Sequence, residues 1–455
     1  MKEYDAIVIG SGCGMNIVME ALAHQWKVAL VDRGPLGGTC PNLGCIPSKM
    51  LIHVADRLLE AEDSRRLGVE LEVRGANFAR VMERMRKGIA ETQAQIRHGV
   101  EEPGELAFFE GEARFAGDYT LEVNGGQIKG KRIFLASGSR PLVPSIPGLD
   151  RTDYLTNETL LQLTTKPESM VIIGGGYVGA EYGHFFAAMG TKVTIIEMME
   201  RLVPAEEPEI SELLKEELSS RMTVLTGARV EQLSGSGKET AVHIRLTANE
   251  EQKIITGERV LVAAGRRSNA DLLHVDRAGI KTDNNGFVAT NEYLETNRKN
   301  IVAVGDANGR YMFTHVANKE AVIAAHNAVH DSRVKMDYST APHAVYSHPQ
   351  IASVGMTEAT ARKDHRILVG RTEYSEVAKG EAMMVKRGFA KAVVEKDKGR
   401  LLGFHVIGPY APIVIQEAIN AMAMGGSTDP IRSGMHIHPE LPELVQRTLG
   451  NMEEG

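Results

Sequence analysis

The stretch that determines how this chain folds is DAIVIGSGCG, residues 5–14. Its apolar run Ala6–Ile9 predicts a buried strand, and the glycines predict a tight turn into a helix that reaches about Gln25. A second strand is predicted over Lys27–Val31 and is followed by Asp32. In such a unit the first glycine makes the turn, the second leaves room for a pyrophosphate at the helix N-terminus, and the carboxylate accepts a ribose hydroxyl. The stretch therefore predicts a doubly wound α/β unit that binds a dinucleotide.

One position departs from the usual glycine pattern of such turns. The third glycine of G-x-G-x-x-G is replaced by Met15, and a glycine stands one residue earlier, at Gly14. The third glycine normally allows the helix to lie close against the strand. We therefore expect the helix and its strand to pack less closely here.

The same unit is repeated later in the chain. Met170–Ile173 predicts a strand, and GGGYVG at residues 174–179 supplies all three glycines of the turn. The next predicted strand, Lys192–Ile196, is followed by Glu197. A carboxylate at this position favours a ribose with a free 2′-hydroxyl, so the repeat predicts NAD(H) in preference to NADP(H). Arg201, four residues on, leaves a 2′-phosphate open as the alternative.

Two of the three cysteines, Cys40 and Cys45, stand five positions apart in GGTCPNLGCIPSK, residues 37–49. An ideal helix would separate them by roughly 7.5 Å along its axis, which is too far for a disulfide. The segment must bend if the two sulfurs are to meet, and Gly44 and the neighbouring prolines permit such a bend. A cysteine pair next to an electron source is predicted to be a redox switch. Cys13 is predicted to be a buried, small apolar residue.

Composition limits the class of protein. With 455 residues, the chain is expected to form roughly two to four domains. A net charge of -7 argues against nucleic acid as a partner. We expect no membrane span, because no apolar stretch is long enough, and no signal peptide, because the chain runs directly into its first strand. The few cysteines then predict a reducing, cytoplasmic location.

The later part of the chain predicts a third element and a change of pattern. A strand near residues 300–304 delivers Asp306 to a position where it could meet ribityl hydroxyls, and Thr314 opens a helix whose N-terminus could face an electron-rich ring. Breaks are predicted near residues 144–150, 266–269 and 335–342. After the last break an α+β layer is predicted, with helices from residue 411 onward and strands over 344–346, 366–369, 390–394 and 401–407.

With these motifs in this order, the chain resembles the FAD-dependent pyridine nucleotide–disulfide oxidoreductases over essentially its whole length. The most specific matches are residues 37–49 and HPELPE at 438–443. Residues 136–141, 263–266 and 349–355 also match, although Gln350 stands where glutamate is commoner.

The resemblance implies an α/β fold with two doubly wound, Rossmann-type dinucleotide-binding domains and a C-terminal α+β dimerisation domain. The expected division is an FAD-binding domain over 1–147, an NAD-binding domain over 148–266, a second FAD-binding or central segment over 267–337, and a dimerisation (interface) domain over 338–455. A homodimer is expected.

The resemblance also implies roles for the redox residues. Cys45 would be the sulfur next to the flavin, and Cys40 would exchange with the substrate. Lys49 would pair with Glu181 near the flavin N5 atom, while the nicotinamide lies on the opposite face of the ring.

A proton acceptor is implied as well. His438 would be the base and Glu443 would orient it, and in this family the pair comes from the other subunit.

Further contacts are expected with the two cofactors. For FAD they are Gly10, Gly12, Gly14, Asp32, Arg33, Gly38, Thr39, Lys49, Ala113, Ala136, Ser137, Gly138, Asp306, Met312, Thr314 and His315. For NAD they are Gly174, Gly176, Tyr177, Val178, Glu181, Glu197 and Gly265.

Two further motifs resemble ligand sites but are not predicted to form them. His436 and His438 form a His-x-His pair, but no third ligand of suitable spacing follows, so no metal site is expected. Residues 234–239 end like a phosphate loop, but Gln232 occupies the position of its first glycine, so a hairpin turn is expected there.

The substrate is left open between several classes. Dihydrolipoamide dehydrogenase, with a possible lipoyl carrier protein, is the first interpretation, because Glu197 favours NAD. The segment 374–383 departs from that pattern and resembles mycothione reductases, which favours reduction of a low-molecular-weight thiol disulfide as the alternative. The absence of a cysteine after Cys45 disfavours mercuric reductase and the large thioredoxin reductases. A non-enzymatic, redox-sensing flavoprotein is the further alternative.

Overall fold

The computed structural model describes residues 1–101, 105–235 and 239–454. Their chain forms two compact units, of which unit 1 comprises residues 1–48, 82–142 and 265–337. Unit 2 comprises residues 49–81, 143–264 and 338–455. The four-segment domain division stays a prediction, and the predicted hairpin turn at 234–239 lies partly outside the described residues.

The α-helices of the described residues are α1 (Gly14–Ala23), α2 (Thr39–Leu43), α3 (Cys45–Asp63), α4 (Phe78–Glu101), α5 (Tyr177–Ala188), α6 (Pro208–Ser219), α7 (Thr314–Val329), α8 (Glu358–Ala361), α9 (Ala378–Ala382), α10 (Ala411–Val414), α11 (Gln416–Ala423), α12 (Asp429–Ser433) and α13 (Glu443–Gly450). None of them is long and apolar enough to cross a membrane.

The strands of the same residues are β1 (Lys2–Ile9), β2 (Val28–Asp32), β3 (Leu106–Glu110), β4 (Ala113–Gly117), β5 (Thr120–Val123), β6 (Gly126–Leu135), β7 (Ser139–Pro141), β8 (Tyr154–Leu155), β9 (Ser169–Ile173), β10 (Lys192–Ile196), β11 (Thr223–Leu225), β12 (Ala228–Ser234), β13 (Thr240–Leu246), β14 (Gln252–Gly257), β15 (Arg259–Val262), β16 (Arg266–Ser268), β17 (Ile301–Ala303), β18 (Pro342–Val345), β19 (Ile351–Gly355), β20 (Ile367–Glu373), β21 (Phe389–Glu395), β22 (Arg400–Ile407) and β23 (Met452–Glu454).

Unit 1 is built on a mixed sheet in the order β3-β2-β1-β6-β5-β4, with β17 also paired to β6. The strands β3, β2, β1, β6 and β17 run parallel, and the central strands are buried along most of their length. Burial on both faces explains why their sequences are apolar runs with little alternation. The glycine turn after β1 and the carboxylate at the end of β2 thus lie at the carboxyl edge of the sheet, where such folds bind nucleotides.

Unit 2 contains a second sheet of the same kind, in the order β11-β10-β9-β15-β8 with all neighbours parallel. An antiparallel three-stranded sheet, β12-β13-β14, packs with it around one apolar core. The predicted α/β class with two dinucleotide-type sheets is confirmed.

The C-terminal part of unit 2 is an antiparallel sheet in the order β18-β19-β22-β21-β20-β23, with helices packed on it. The predicted α+β layer is therefore present, but two of its six strands, β19 and β23, are absent from the strand prediction. The strand β23 forms because residues 452–454 pair with β20, which lies far away in sequence.

Element boundaries differ slightly from those predicted. The first strand begins at Lys2, since Lys2 pairs with Ile128 of β6. The first helix ends at Ala23, because Gln25 has a φ of 60°, in the left-handed region. The strand Lys192–Ile196 lies where it was predicted.

Candidate active site

The first glycine turn is shaped by close approach of two backbone segments in unit 1. Gly10 has a φ of +104°, and a Cβ atom there would lie 2.2 Å from the carbonyl oxygen of Ala136. A Cβ atom on Gly38 would lie 2.9 Å from the Cα of Gly12. Larger residues at these positions would therefore push apart the segments that surround the turn.

The expectation of loose packing at this turn is wrong. A Cβ atom on Gly14 would lie 2.9 Å from Val8 Cγ1 and 3.1 Å from the Cβ of Ala136. Gly14 therefore allows the helix to lie against β1, which is the work of the third glycine in the usual pattern. Met15 does not loosen the contact, because the glycine that the packing needs is present one residue earlier.

Asp32 is tied to the turn by a residue that the sequence analysis overlooked. The backbone N–H of Ser11 donates to Asp32 Oδ2 (2.6 Å), and the Ser11 hydroxyl donates to the same oxygen (2.5 Å). The N–H of Gly37 donates to Ser11 Oγ (2.8 Å), and the N–H of Gly34 donates to Asp32 Oδ1 (2.6 Å). A serine between the first two glycines was the available signal, because its hydroxyl can reach the carboxylate across the turn.

The segment that contains Cys40 and Cys45 is bent at the predicted position. Cys40 lies in α2, Cys45 is the first residue of α3, and Gly44 separates the two helices with φ -135° and ψ -109°. The Sγ atom of Cys45 lies 3.3 Å from the hydroxyl of Thr314, which is the first residue of α7. Two helix N-termini therefore face this sulfur, and their partial positive charge favours negative charge on it.

The third cysteine differs from this pair. Burial, together with the carboxylates of Glu320 and Asp306, raises the pKa of the Cys13 thiol to about 12. A thiol with so little thiolate character is a poor nucleophile.

Asp306 belongs to a polar group at the end of β17. The Ser139 hydroxyl donates to Asp306 Oδ2 (2.5 Å), and the guanidinium of Arg266 donates to Ser139 Oγ (2.6 Å). The nearby Ser137 Oγ is buried and has no hydrogen-bond partner among the described residues. Such an orphaned hydroxyl is a place where a polar ligand is expected.

The other predicted FAD contacts in unit 1 are spread over several elements. Arg33 Nη1 lies 3.8 Å from Glu112 Oε1. Ala113 is the buried first residue of β4, and Thr39 begins α2. Met312 lies just before α7, and the ring of His315 stacks on Phe313 with centroids 5.8 Å apart. At Gly138, whose φ is +67°, a Cβ atom would meet no atom within 4 Å.

The second glycine turn has the same construction in unit 2. A Cβ atom would lie 2.3 Å from Ala263 O at Gly174, whereas at Gly176 it would meet no atom within 4 Å. The carboxylate of Glu197 is 8% exposed and accepts from the N–H groups of Gly175 (2.5 Å) and Met199 (2.7 Å). The turn therefore leaves open space at the N-terminus of α5, beside a buried negative charge.

Two further predicted NAD contacts lie at the start of α5, and one lies in unit 1. Tyr177 is the first residue of the helix and is 37% exposed, and Val178 follows it. Gly265, which belongs to unit 1, has a φ of +114°.

Lys49 and Glu181 form an ion pair in unit 2. Lys49 Nζ lies 2.8 Å from Glu181 Oε2 and 3.0 Å from Oε1, and it sits over the ring of Tyr346, 4.4 Å from the centroid. The backbone N–H of Tyr346 donates to Glu181 Oε1 (3.0 Å). Lys49 is held in one orientation on the first turns of the helix that Cys45 begins.

His438 and Glu443 also form the predicted pair. His438 Nδ1 donates to Glu443 Oε1 (2.9 Å), and the N–H of Glu440 donates to Glu443 Oε2 (3.2 Å). The hydrogen bond from His438 holds the pKa of Glu443 below its usual value, so the carboxylate stays ionised. Because Nδ1 faces this acceptor, it carries the proton in the neutral ring, and Nε2 is left to accept one.

His436 is engaged in a separate contact. Its side chain is 7% exposed, with Nε2 3.0 Å from Glu417 Oε1 and Nδ1 3.3 Å from the carbonyl oxygen of Gly434. These bonds fasten the segment that leads to His438 onto α11.

Comparison with known proteins gives the class. Residues 4–321 match the model of the pyridine nucleotide-disulphide oxidoreductases, and residues 341–449 match the dimerisation domain of the same family. The two glycine turns and the cysteine pair thus belong to a redox protein that binds two dinucleotides. This chain belongs to the pyridine nucleotide-disulphide oxidoreductase family.

Several relatives are similar over most of their length. A mercuric reductase from Staphylococcus aureus is 34% identical over 93% of this chain and 78% of its own. A dihydrolipoyl dehydrogenase from Chlorobaculum parvum is 34% identical over 98% and 96%, and a mycothione reductase from Mycobacterium tuberculosis is 32% identical over 99% of both chains. A Cu(II) complex of the HOCl-induced flavoprotein disulfide reductase RclA from Escherichia coli superposes with a TM-score of 0.88 at 27% identity, over 99% of both chains.

Members of this family are FAD-dependent and use NAD(P)H, and the residues present fit both groups. The orphaned Ser137 hydroxyl and the N-terminus of α1, which has no side-chain cap among the described residues, suit a diphosphate-linked flavin in unit 1. The open space at Gly176 and the buried Glu197 carboxylate suit a nicotinamide dinucleotide in unit 2.

Proposed function

We propose that this chain is an NAD(H)-dependent flavoprotein disulfide oxidoreductase whose substrate is a dihydrolipoyl group. The observation that carries the redox part is the position of Cys45, which begins α3 and lies 3.3 Å from the first residue of α7. A sulfur at two helix N-termini is suited to be the leaving thiolate when a disulfide is opened.

The thiol chemistry balances with the residues of this chain. In the oxidised enzyme Cys40 and Cys45 are joined, His438 accepts the proton of a substrate thiol, and the resulting thiolate attacks Cys40 and releases the Cys45 thiolate. After His438 has passed this proton to solvent, it accepts the proton of the second substrate thiol. The second thiolate attacks the substrate sulfur of the mixed disulfide, and Cys40 leaves and takes the proton from His438. The substrate becomes a disulfide and the cysteine pair gains two electrons. Bound FAD supplies the route by which two electrons pass from the cysteine pair to NAD⁺.

The chain positions the groups around these steps. We propose that Glu443 stabilises the charged imidazole of His438, and that Lys49, held by Glu181, places a positive charge beside the flavin.

The choice of NAD(H) rests on Glu197. This carboxylate is buried and fixed by two backbone N–H groups, so a 2′-phosphate would meet a negative charge that cannot turn away. The dihydrolipoyl substrate is further supported by the Chlorobaculum parvum relative, which aligns over almost the whole of both chains. A lipoyl carrier protein would then be a partner.

We also propose a homodimer in which one protomer supplies its His438–Glu443 pair to the other protomer's cysteines. The family's dimerisation domain is present, and the His438 side chain is 70% exposed in the single chain, free to enter a site elsewhere. We further propose that the protein works in a reducing compartment such as the cytoplasm, because the cysteine pair must cycle between disulfide and dithiol.

A second substrate class is favoured by a specific match. The mycothione reductase aligns over 99% of both chains, so an NAD(P)H-dependent reductase of a small thiol disulfide is the alternative. A redox sensor without turnover is a third, which the joint presence of His438 and Glu443 argues against.

One set of assays separates these functions. The FAD-loaded enzyme is tested for reduction of NAD⁺ by dihydrolipoamide, and for oxidation of NADH and NADPH by lipoamide, cystine and other low-mass disulfides. Fast turnover only with lipoyl substrates supports the proposal, and fast turnover only with a non-lipoyl disulfide overturns the substrate. Cys45→Ser should abolish turnover, whereas Cys13→Ser, the matched control with a shielded thiol, should not.

A further inference from the structure

Three histidines and a glutamate gather at one end of unit 1, in positions that the redox chemistry does not use. His24 directly follows the last residue of α1, and His330 directly follows the last residue of α7. Glu20 lies in the last turn of α1, and His326 lies in the last turn of α7. The cluster is thus built from the C-terminal ends of two helices.

Three of these side chains have the spacing of a metal site. One ligand atom each from Glu20, His24 and His330 can be chosen so that all lie within 4.8 Å of one another. His24 Nδ1 donates to the carbonyl oxygen of Glu20 (3.0 Å) and lies 3.6 Å from Glu20 Oε1, which leaves His24 Nε2 for an ion. The rings of His24 and His330 are 5.4 Å apart between centroids. Ligands of a tetrahedral Zn²⁺ at bond lengths of about 2.0–2.1 Å are roughly 3.4 Å apart. Small side-chain rotations, which exposed residues make easily, would close the site.

The helix ends add an electrostatic reason for a cation. The amide of Asn16 donates to Asn318 Oδ1 (3.2 Å) near the start of both helices, and His24 meets His330 at their ends. The two helices therefore run in the same direction, and the partial negative charges of both C-termini fall at the cluster. The carboxylate of Glu20 adds a full negative charge.

The fourth residue of the cluster orients the site. His326 Nε2 donates to the carbonyl oxygen of Ser332 (3.0 Å). The ring centroids of His326 and His330 are 4.5 Å apart. His326 therefore limits the orientations of His330, and it lies outside the group of three residues whose ligand atoms meet.

We propose that Glu20, His24 and His330 bind a Zn²⁺ ion on the surface of unit 1, with water completing a tetrahedral shell. Two imidazoles and one carboxylate are a ligand set that suits Zn²⁺. The ion would join the ends of α1 and α7, which are otherwise connected there by ring contacts.

The test is an isothermal calorimetric titration of the FAD-loaded, oxidised protein with ZnCl₂ in thiol-free buffer. Loss of an indirect, supporting contact already weakens metal sites by about 10- to 100-fold, so His24→Gln or His330→Gln should weaken this site at least tenfold. Glu20→Gln, which keeps the side-chain size, should weaken it as well. His53→Gln removes an exposed histidine from α3 and should change nothing.

X-ray absorption spectroscopy at the zinc edge gives an independent readout. The Zn²⁺-loaded protein should show only nitrogen and oxygen ligands at about 2.0–2.1 Å, including two imidazoles. Unchanged Zn²⁺ affinity in the folded His24→Gln/His330→Gln double variant would overturn the proposal, and so would a sulfur ligand, which would place the ion at the cysteines. Retained flavin content and helical circular dichroism establish that the variants are folded.

Discussion

Replacement of His438 by glutamine tests the proposed acid–base pair most directly. A positioned general base typically contributes about 10²- to 10⁴-fold to a rate. That range corresponds to roughly 3–5 kcal/mol of activation free energy. The proposal gives His438 a role only in the transfer of protons to and from thiols. Dithiol oxidation should therefore slow by at least about a hundredfold, while reduction of the flavin by NADH should keep its rate.

The structure separates this effect from unfolding. The His438 side chain is 70% exposed, and its contact with Glu443 lies at the surface of the single chain. Loss of such a surface pair changes the free energy of unfolding by no more than about 1 kcal/mol. A hundredfold loss of rate therefore cannot come from a smaller folded fraction.

Stopped-flow measurement of the two half-reactions provides the assay. In one experiment the oxidised enzyme is mixed with dihydrolipoamide, and in a second experiment it is mixed with NADH. Flavin absorbance reports the reduction in both. His53→Gln serves as the matched control, because it also removes an exposed histidine. If both half-reactions slow together, or if neither does, the role of His438 as the thiol base is refuted.

Three further changes probe other parts of the structure. Burial, with the charges of His184 and Arg221, lowers the pKa of His348 to about 4 from 6.5, so the unfolded chain takes up the proton first as the pH falls. The free energy of unfolding should therefore decrease from pH 6.5 to 4 by no more than about 3 kcal/mol, and an equally steep slope in His348→Gln would contradict this. Glu197→Gln should raise the ratio of kcat/KM for NADPH over NADH roughly tenfold by removing a like charge, and an unchanged ratio would show that the carboxylate does not select the cofactor. Glu417→Gln should slow dithiol oxidation roughly tenfold and leave the NADH step unchanged, because the segment before His438 loses the contact between His436 and Glu417. Glu417→Asp should restore the rate, whereas equal slowing of both steps would indicate a general structural role.

Local patterns explain how much of the fold could be predicted. The two parallel sheets follow from short apolar runs bounded by glycines, and each signal lies within about thirty residues. The strand Lys192–Ile196 has its predicted limits because both ends carry signals, a glycine turn before it and a carboxylate after it. Strand β23 could not be predicted, since residues 452–454 are extended only through pairing with β20.

The partners of a buried lysine in unit 2 could not be predicted from the sequence either. Lys391 is 5% exposed, yet its ammonium group lies 3.1 Å from Glu207, 2.5 Å from Glu209 and 2.7 Å from Glu358. Burial lowers the pKa of Lys391, but hydrogen bonds to Glu209 and Glu358 outweigh it and raise that pKa overall. A lysine inside an apolar strand was a visible signal for a buried ion pair, but its partners lie too far away in sequence to be named.

The candidate site shows the same division between local and distant information. His438 and Glu443 are five residues apart, so their contact could be predicted from one motif. The contact of Cys45 with Thr314 joins segments separated by 269 positions, and only the folded sheet brings them together. The failed expectation at Gly14 has a different cause, because a motif records positions whereas packing depends on distances. A Cβ atom on Gly14 would lie 2.9 Å from Val8, so the close contact is preserved with the glycine displaced. A sequence motif therefore predicts a contact reliably when only its own residues can form that contact. It fails when a residue at another position can form the same contact.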